Sequence, residues 1–286
     1  MSESQTRDVS EAVLAATTET ELANWQRSQG TKVICHRDRY WRETGFGFYE
    51  PLHWMARLSA QQATSPTVFC WGFRTALCED DSVVATGSIP IHLLTNIADY
   101  DMQSLGSKRR NDLRRCYKRS KIVHLTGLAL LQEQGYEVVL SSNQRTAYAK
   151  LPSKDEYLAS LSSDSNVAYH LVLAGLIDGK LGGYISGYAV SGTAYIQDVK
   201  IATEALSSYI GIGLAFEFVQ ACRRSGSIRE VVYGLHSRED SPLCAFKERM
   251  GFPAKHIPSK IEMNQMIGKF IRWRYPDKYY RLTGRD

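Results

Sequence analysis

The stretch Ser208-Tyr209-Ile210-Gly211-Ile212-Gly213-Leu214 sits between a strand-like run, Ala194–Ile201, and a helix-like run, Gly213–Arg224. Two glycines one residue apart at the mouth of a helix leave backbone N–H groups unpaired and uncovered by side chains, and the helix dipole adds positive potential there. The segment reads as a phosphate cradle, although a lone glycine pair opening a helix is more often only a tight turn. Its surroundings give it context. Upstream, Tyr169–Ile177 (YHLVLAGLI) and Gly183–Val190 (GYISGYAV) read as strands joined by Asp178-Gly179-Lys180, with the Asp-Gly signature of a hairpin. A third strand, Thr193–Ile201, follows Ser191-Gly192. Downstream come the amphipathic Ile212–Arg224, a strand in Glu230–Leu235, and a short helix, Pro242–Met250, stopped by Gly251.

This order of three strands, helix, strand and helix resembles the GNAT acyltransferase superfamily, whose best-known motif is Gln/Arg-x-x-Gly-x-Gly/Ala at the start of the central helix. Ser208 stands in the Gln/Arg position, and Gly211 and Gly213 match the glycines. The run Ala245–Phe252 (AFKERMGF) is similar to the family's closing helix ending in Gly-Phe. Many members carry a tyrosine there, proposed to protonate the leaving thiolate; Lys247 holds that position. The Phe-Lys-x-x-x-Gly form is similar to the Fem-like peptidyltransferase branch, which carries a GNAT-like domain behind another of related shape. That branch tends to have a Lys/Arg-rich helix between its halves, and Lys108–Lys121 (KRRNDLRRCYKRSK) resembles it, with Lys108 and Arg110 in the places of its Lys-x-Arg element. The resemblance runs from Ala168 to Phe252, under a third of the chain.

The resemblance implies an α/β (α+β) fold: a GNAT-like mixed sheet flanked by helices, with a second GNAT-like or smaller α/β half at the N-terminus. It implies acetyl-CoA or another acyl-CoA as co-substrate, its pyrophosphate on the backbone of Ser208, Tyr209, Ile210, Gly211, Ile212 and Gly213, and phosphates near Lys108 and Arg110. The acceptor would be an amine on a small molecule or peptide. The Fem-like alternative replaces acyl-CoA by charged tRNA, and a third reading is a non-catalytic binding module in which Ser208 and Lys247 mark lost chemistry.

At 286 residues the chain is long enough for one large or two modest domains. A boundary is expected between Asp99 and Thr126, giving an N-terminal α/β half over 1–107, a basic connector helix over 108–125 and the acyltransferase domain over 126–286. With 43% hydrophobic and 23% charged residues the composition is that of an ordered globular protein. Six cysteines show no Cys-x-x-Cys and no sequence clustering with the seven histidines, so no metal site is expected and reduced thiols are the default. Neither a signal peptide after Met1 nor an apolar run long enough for a membrane span is visible, which points to a cytoplasmic protein. Oligomeric state is not readable from the chain.

The net charge of +5 is unevenly spread: residues 108–121 hold eight Lys/Arg against one Asp. On a helix, Lys108, Arg115 and Arg119 share one side and Arg110, Arg114 and Lys121 another, a pattern that suits either a polyanion or a solvated connector. In the first half, Glu11–Gln26 and Glu50–Leu58 are expected to be helices, Thr31–Cys35 and Thr67–Phe73 strands, and Ser82–Leu93 a broken strand. Aromatic residues crowd Tyr40–Phe73, favouring core packing over a substrate groove. In the second half, Lys154–Ser162 is expected to be a helix near the acceptor. The tail Lys269–Asp286 alternates cations with Trp273, Tyr275, Tyr279 and Tyr280, which fits base stacking or an amphipathic cap.

Acyl transfer from a thioester to an amine needs a group to take the amine proton, while the thiol, of pKa about 8.5, leaves with little help. The candidates are Asp198, Glu204 and His236 as bases and Lys247 as an electrostatic partner of the thiolate. Tyr184, Tyr188 and Tyr195 are further donors. Strict alternation along Ala194–Ile201 puts Ile196, Asp198 and Lys200 on one face, where Asp198 and Lys200 would form either an ion pair or part of a site.

Overall fold

The computed structural model describes residues 5–146, 151–163 and 170–285. Tyr169, the expected start of a strand, and Ala168, where the resemblance begins, lie outside them; the described strand begins at His170. The chain forms a mixed α/β structure of two compact units, each drawing on segments distant in sequence. The first comprises Met1–Ala16, Leu94–Val232 and Arg249–Gly251; the second comprises Thr17–Leu93, Tyr233–Glu248 and Phe252–Asp286.

In the first unit the strands run in the order Thr6–Asp8, Lys121–Leu125, His170–Ile177, Lys180–Val190, Thr193–Ile201. All neighbours are antiparallel. The strand Glu230–Leu235 then pairs in parallel through Glu230–Val232 opposite Thr193–Tyr195. Both hairpins turn as the sequence suggests. Asp178 and Gly179 have φ of 49° and 80°, Ser191 and Gly192 49° and 90°, the left-handed pairs of type I′ turns that match strand twist.

The helix Ile210–Arg224 lies on one face of this sheet and buries Ile210, Leu214, Phe218 and Val219. Glycines on the strands permit the approach: a Cβ on Gly175 would meet the Ile210 side chain, and one on Gly187 the Phe218 ring. The basic helix Ser107–Arg119 packs on Ile210–Arg224 through its buried Leu113 and Cys116. A Cβ on Gly213 would lie 2.5 Å from Cys116 Sγ, so Gly213→Ala forces the Cys116 side chain, or the helix that carries it, to move. Overpacking of this kind is expected to cost about 1–3 kcal/mol in urea melts. A substitution neutral in those melts would show that the contact is slack.

The register of Lys180–Val190 with Thr193–Ile201 slips between Ser186↔Asp198 and Gly187↔Ile196, so Gln197 is a β-bulge. The extra residue resets the alternation. Ile196 stays with Gly187 on the face covered by the helix, whereas Asp198 and Lys200 join Ser186 and Tyr184 on the opposite face. The expected grouping of Ile196 with Asp198 and Lys200 is therefore corrected.

In the second unit the strand order is Gly87–Thr95, Ala254–Met263, Gly72–Ala76, Phe48–Pro51, Arg39–Gly45, Val33–His36. Phe48–Pro51 and Gly72–Ala76 are parallel and the other neighbours antiparallel. Trp41 and Phe73 meet edge to face at 5.9 Å within a core that includes Tyr49, Leu58 and Leu77. Core packing thus accounts for these aromatics, while Phe46 and Phe69 stand in solvent.

Three expectations change here. Glu50–Leu58 is not a helix, because Phe48–Pro51 is a strand buried on both faces and Glu50 is spent on a buried ion pair with Arg74. The strand expected over Thr67–Phe73 starts only at Gly72. The first helix covers Glu19–Ser28 rather than Glu11–Gln26, set by a capping box in which Thr18 and Glu21 bond each other's backbone N–H. The tail forms two helices, Gln265–Arg274 and Pro276–Thr283, which leave Trp273 exposed and bury Tyr280.

Candidate functional site

Beyond Ile201 the chain makes a short 3-10 helix, Thr203–Ser208, and enters Ile210–Arg224 through Tyr209, whose φ of 62° is left-handed. A bulky residue in that region costs energy and is held only when its surroundings fix it. The first N–H groups bonded back to Tyr209 C=O are those of Ile212 and Gly213, at 2.9 and 3.4 Å. Among the described residues the N–H groups of Ile210 and Gly211 have no recorded acceptor. Ser208 turns its hydroxyl inward to the Ala205 carbonyl at 2.6 Å, and the side chains of Ile210 and Ile212 are buried. What this segment presents outward is backbone, as a cradle requires.

Cations reach it from the second half of the basic helix. Arg119 donates to the Ser207 carbonyl at 2.9 Å; Arg115 donates to the Tyr209 hydroxyl at 3.2 Å, its guanidinium 5.8 Å from the ring centre. Both arginines are exposed and fix the cradle loop from outside. Lys108 and Arg110 lie at the start of the same helix, Lys108 exposed and Arg110 bonded to the Leu105 carbonyl at 2.8 Å. The structure records no contact from either to the cradle residues.

On the sheet face opposite Ile210–Arg224, a cavity of about 290 Å³ opens among the strands His170–Ile177, Lys180–Val190 and Thr193–Ile201 and the helices Tyr136–Thr146 and Lys154–Ser163. Leu131, Val139, Leu161 and Val172 give it an apolar wall. Tyr184, Ser186, Asp198 and Lys200 converge on it because the bulge at Gln197 puts all four on one face. Lys200 Nζ donates to Asn143 Oδ1 at 3.1 Å, so the alternative of an Asp198–Lys200 ion pair is not what forms. The half-buried Asp198 carboxylate has no recorded donor or cation among the described residues. Tyr157, on the neighbouring helix, donates to the Leu131 carbonyl at 2.9 Å, and burial pushes its hydroxyl up to about 12. It is a fixed donor, not a base.

Glu204 falls elsewhere. Ser141 donates to its carboxylate at 3.3 Å, and it lines a second cavity of about 650 Å³ together with Glu133, Glu137 and Asp178. An acidic rim of this kind disfavours phosphate and does not place Glu204 with Asp198.

His236 and Lys247 belong to the second unit. The helix Ser241–Arg249 ends in a Schellman cap, with Gly251 at φ 90° and the Phe252 N–H donating to the Lys247 carbonyl at 3.0 Å. That geometry buries the Lys247 side chain, whose Nζ reaches the Leu235 carbonyl at 3.5 Å and the Tyr233 ring at 5.2 Å. Burial drops its pKa from 10.5 to about 8. His236, just past the strand Glu230–Leu235, donates its backbone N–H to the Pro90 carbonyl and brings Nδ1 within 2.9 Å of the Tyr280 hydroxyl. Burial, then the nearby His256, holds its pKa below the usual histidine value. Two partners were not anticipated: His92, on the strand Gly87–Thr95, and Cys244, on the helix Ser241–Arg249. No linear spacing links them to His236, although a histidine inside the apolar run Ile89–Leu94 was a visible oddity.

No protein-family model matches the chain, and no curated protein sequence matches it. Solved structures do. FemX aligns over 92% of this chain and 96% of its own, with TM-score 0.60 and 8% identity. The C-terminal domain (DUF2156) of a putative lysylphosphatidylglycerol synthetase from Agrobacterium fabrum aligns over 93% and 94%, with TM-score 0.58 and 12% identity. L-PGS from Bacillus licheniformis aligns over 95% and 99%, with TM-score 0.50 and 10% identity. At such identities the likeness is one of fold alone: the chain shares the fold of FemX and of the lysylphosphatidylglycerol synthetase domain, a mixed sheet flanked by helices as expected. Among the described residues no helix is long and apolar enough to cross a membrane.

Proposed function

We propose that the protein is an N-acyltransferase that moves an acyl group from acetyl-CoA or another acyl-CoA to an amine of a small-molecule or peptidic acceptor. The observation that carries this reading is the pairing, within one unit, of a backbone cradle flanked by Arg115 and Arg119 with a cavity lined by Asp198, whose carboxylate has no recorded partner among the described residues. The N–H groups of Ile210 and Gly211 and the two arginines take the donor's phosphates. The cavity holds the acyl group and the amine. The amine nitrogen attacks the thioester carbonyl carbon, the C–S bond breaks, and the sulfur departs as thiolate. The proton lost by the nitrogen passes to Asp198. We place the proton acceptor there rather than at His236, whose Nδ1 is engaged by Tyr280, or at Glu204, which lines the other cavity.

A second reading, an aminoacyl group delivered by charged tRNA, is favoured by one observation: FemX and the lysylphosphatidylglycerol synthetase domain match nearly the whole chain. Under this reading the same cradle and basic helix hold the phosphates of the tRNA end, and binding falls steeply with salt.

Native mass spectra with CoA, acetyl-CoA and longer acyl-CoAs separate the readings. Arg115→Ala/Arg119→Ala is expected to weaken CoA binding on the order of 10- to 100-fold per lost charge-assisted contact. Gly211→Asp, which puts a carboxylate where the pyrophosphate sits, is expected to abolish binding; its Cβ meets only the movable end of Ile201. Wild-type affinity in both variants removes the cradle from the mechanism. Salt-sensitive tRNA binding without CoA binding selects the second reading, and ligand binding without turnover selects a non-catalytic module.

A further inference from the structure

We propose that His92, His236 and Cys244 form a binding site for a zinc-type cation in the second unit. One ligand atom from each residue lies within 4.8 Å of the other two. A tetrahedral ion with metal–nitrogen bonds of about 2.0 Å and a metal–sulfur bond of about 2.3 Å needs these atoms roughly 3.5 Å apart. A contraction of that size is within reach of small side-chain rotations.

The strongest sign is on His92. It is fully buried, and its Nδ1 lies 3.0 Å from the Phe252 carbonyl, which can only accept, so Nδ1 carries the proton. Nε2 is then a bare lone pair, and among the described residues it has no hydrogen-bond partner. A buried polar atom left so costs free energy that a ligand would recover. A ring that donates one N–H to a backbone carbonyl and points the other nitrogen at a metal is the arrangement that fixes ligating histidines.

The other two ligands are prepared in the same way. The Tyr280 hydroxyl, 2.9 Å from His236 Nδ1, leaves Nε2 for coordination. Tyr280 is itself 3.4 Å from His256 Nε2, and His256 Nδ1 is 2.9 Å from Ser88 Oγ, so an outer chain of hydrogen bonds holds the His236 ring. The two imidazole rings lie 5.3 Å apart, centre to centre. Cys244 is buried and donates its thiol proton only weakly, to the Ser237 carbonyl at 3.3 Å; metal binding releases that proton to solvent and leaves a thiolate.

Two nitrogens and a sulfur select a borderline-soft cation over Mg²⁺ or Ca²⁺, which require oxygen. The surrounding charges are mixed: Glu248 and Asp240 favour a cation and Lys247 opposes it. Three protein ligands leave a fourth position for water or a substrate oxygen, the pattern of open zinc sites. The ligands all belong to the second unit, so the proposal stands whichever donor the first unit binds.

The test uses the full chain, stripped with a chelator and kept reduced. One equivalent of Co²⁺ is expected to give a thiolate-to-cobalt charge-transfer band that Zn²⁺ displaces. Cys244→Ser is expected to abolish the band while Cys35→Ser, at an exposed thiol, preserves it. His236→Gln is expected to weaken Zn²⁺ at least 10- to 100-fold, the loss typical even of supporting contacts. Because Cys244→Ser can fail to fold, the wild-type chain provides a second readout: one equivalent of Zn²⁺ should protect Cys244 from alkylation. No band, a band that survives Cys244→Ser, or Cys244 alkylated at full rate in saturating Zn²⁺ overturns the proposal.

Discussion

Asp198→Asn is expected to lower kcat/KM for acyl transfer by roughly 10²- to 10⁴-fold, the usual contribution of a positioned proton acceptor. Asparagine keeps the shape and polarity of the side chain but cannot accept the proton as the nitrogen–carbon bond forms. The effect should be large because Asp198 faces the cavity with no recorded donor or cation among the described residues to compensate for its loss. Thiol released from acyl-CoA in the presence of a panel of amines gives the rate, and CoA affinity measured in parallel should be unchanged. A fall in kcat at constant KM identifies a group acting in the transition state. A rise in KM alone would make Asp198 a docking group for a cationic acceptor. Activity within about threefold of wild type would remove it from the site. Ser141→Ala, which releases Glu204, should leave the rate unchanged because Glu204 lines the other cavity.

Lys247→Met is expected to raise stability near pH 7 by about 1–3 kcal/mol and to flatten its dependence on pH. The folded protein holds this ammonium at a pKa of about 8 against 10.5, chiefly through burial. Because the folded pKa is depressed, the unfolded chain binds more protons between these values, so stability rises as pH climbs from about 8 to 10.5. At neutral pH the charged group carries the full penalty, up to about 3 kcal/mol for such a shift. Methionine of similar length removes it, less what is lost of the contact with the Tyr233 ring and the Leu235 carbonyl. Urea melts of both proteins at pH 7.5 and pH 10, with chelator present, isolate the effect as a difference between them. Equal pH slopes would mean that Lys247 reaches water.

The glycine pair, the two Asp-Gly and Ser-Gly turns and the strand–helix order were readable because each is local: a handful of neighbouring residues fixes the dihedral angles involved. The bulge at Gln197 was not, since it exists only in the register between two strands and leaves no mark in alternation alone. It decides which face Asp198 occupies, so the candidate site could be named from the sequence but not assembled. Gly213 shows the reverse case. Its presence was legible, yet one of its functions, close passage of Cys116 on another helix, depends on tertiary packing. The mistaken helix over Glu50–Leu58 rested on local pattern, which does not show that Glu50 is buried against its distant partner Arg74. His92 and Cys244 are separated by 152 positions and meet only because their strand and helix pack within one unit.

The strand Ala254–Met263 lies between Gly87–Thr95 and Gly72–Ala76 in the sheet, yet it is made long after both. During synthesis those two earlier strands emerge from the ribosome with open edges facing each other across a missing neighbour. Neither edge can close until residues 254–263 have been translated. Open edges invite pairing with other nascent chains, so the second unit passes through a window of aggregation that a molecule with consecutive domains would avoid. A message cut short before residue 254 therefore yields a sheet split down its middle.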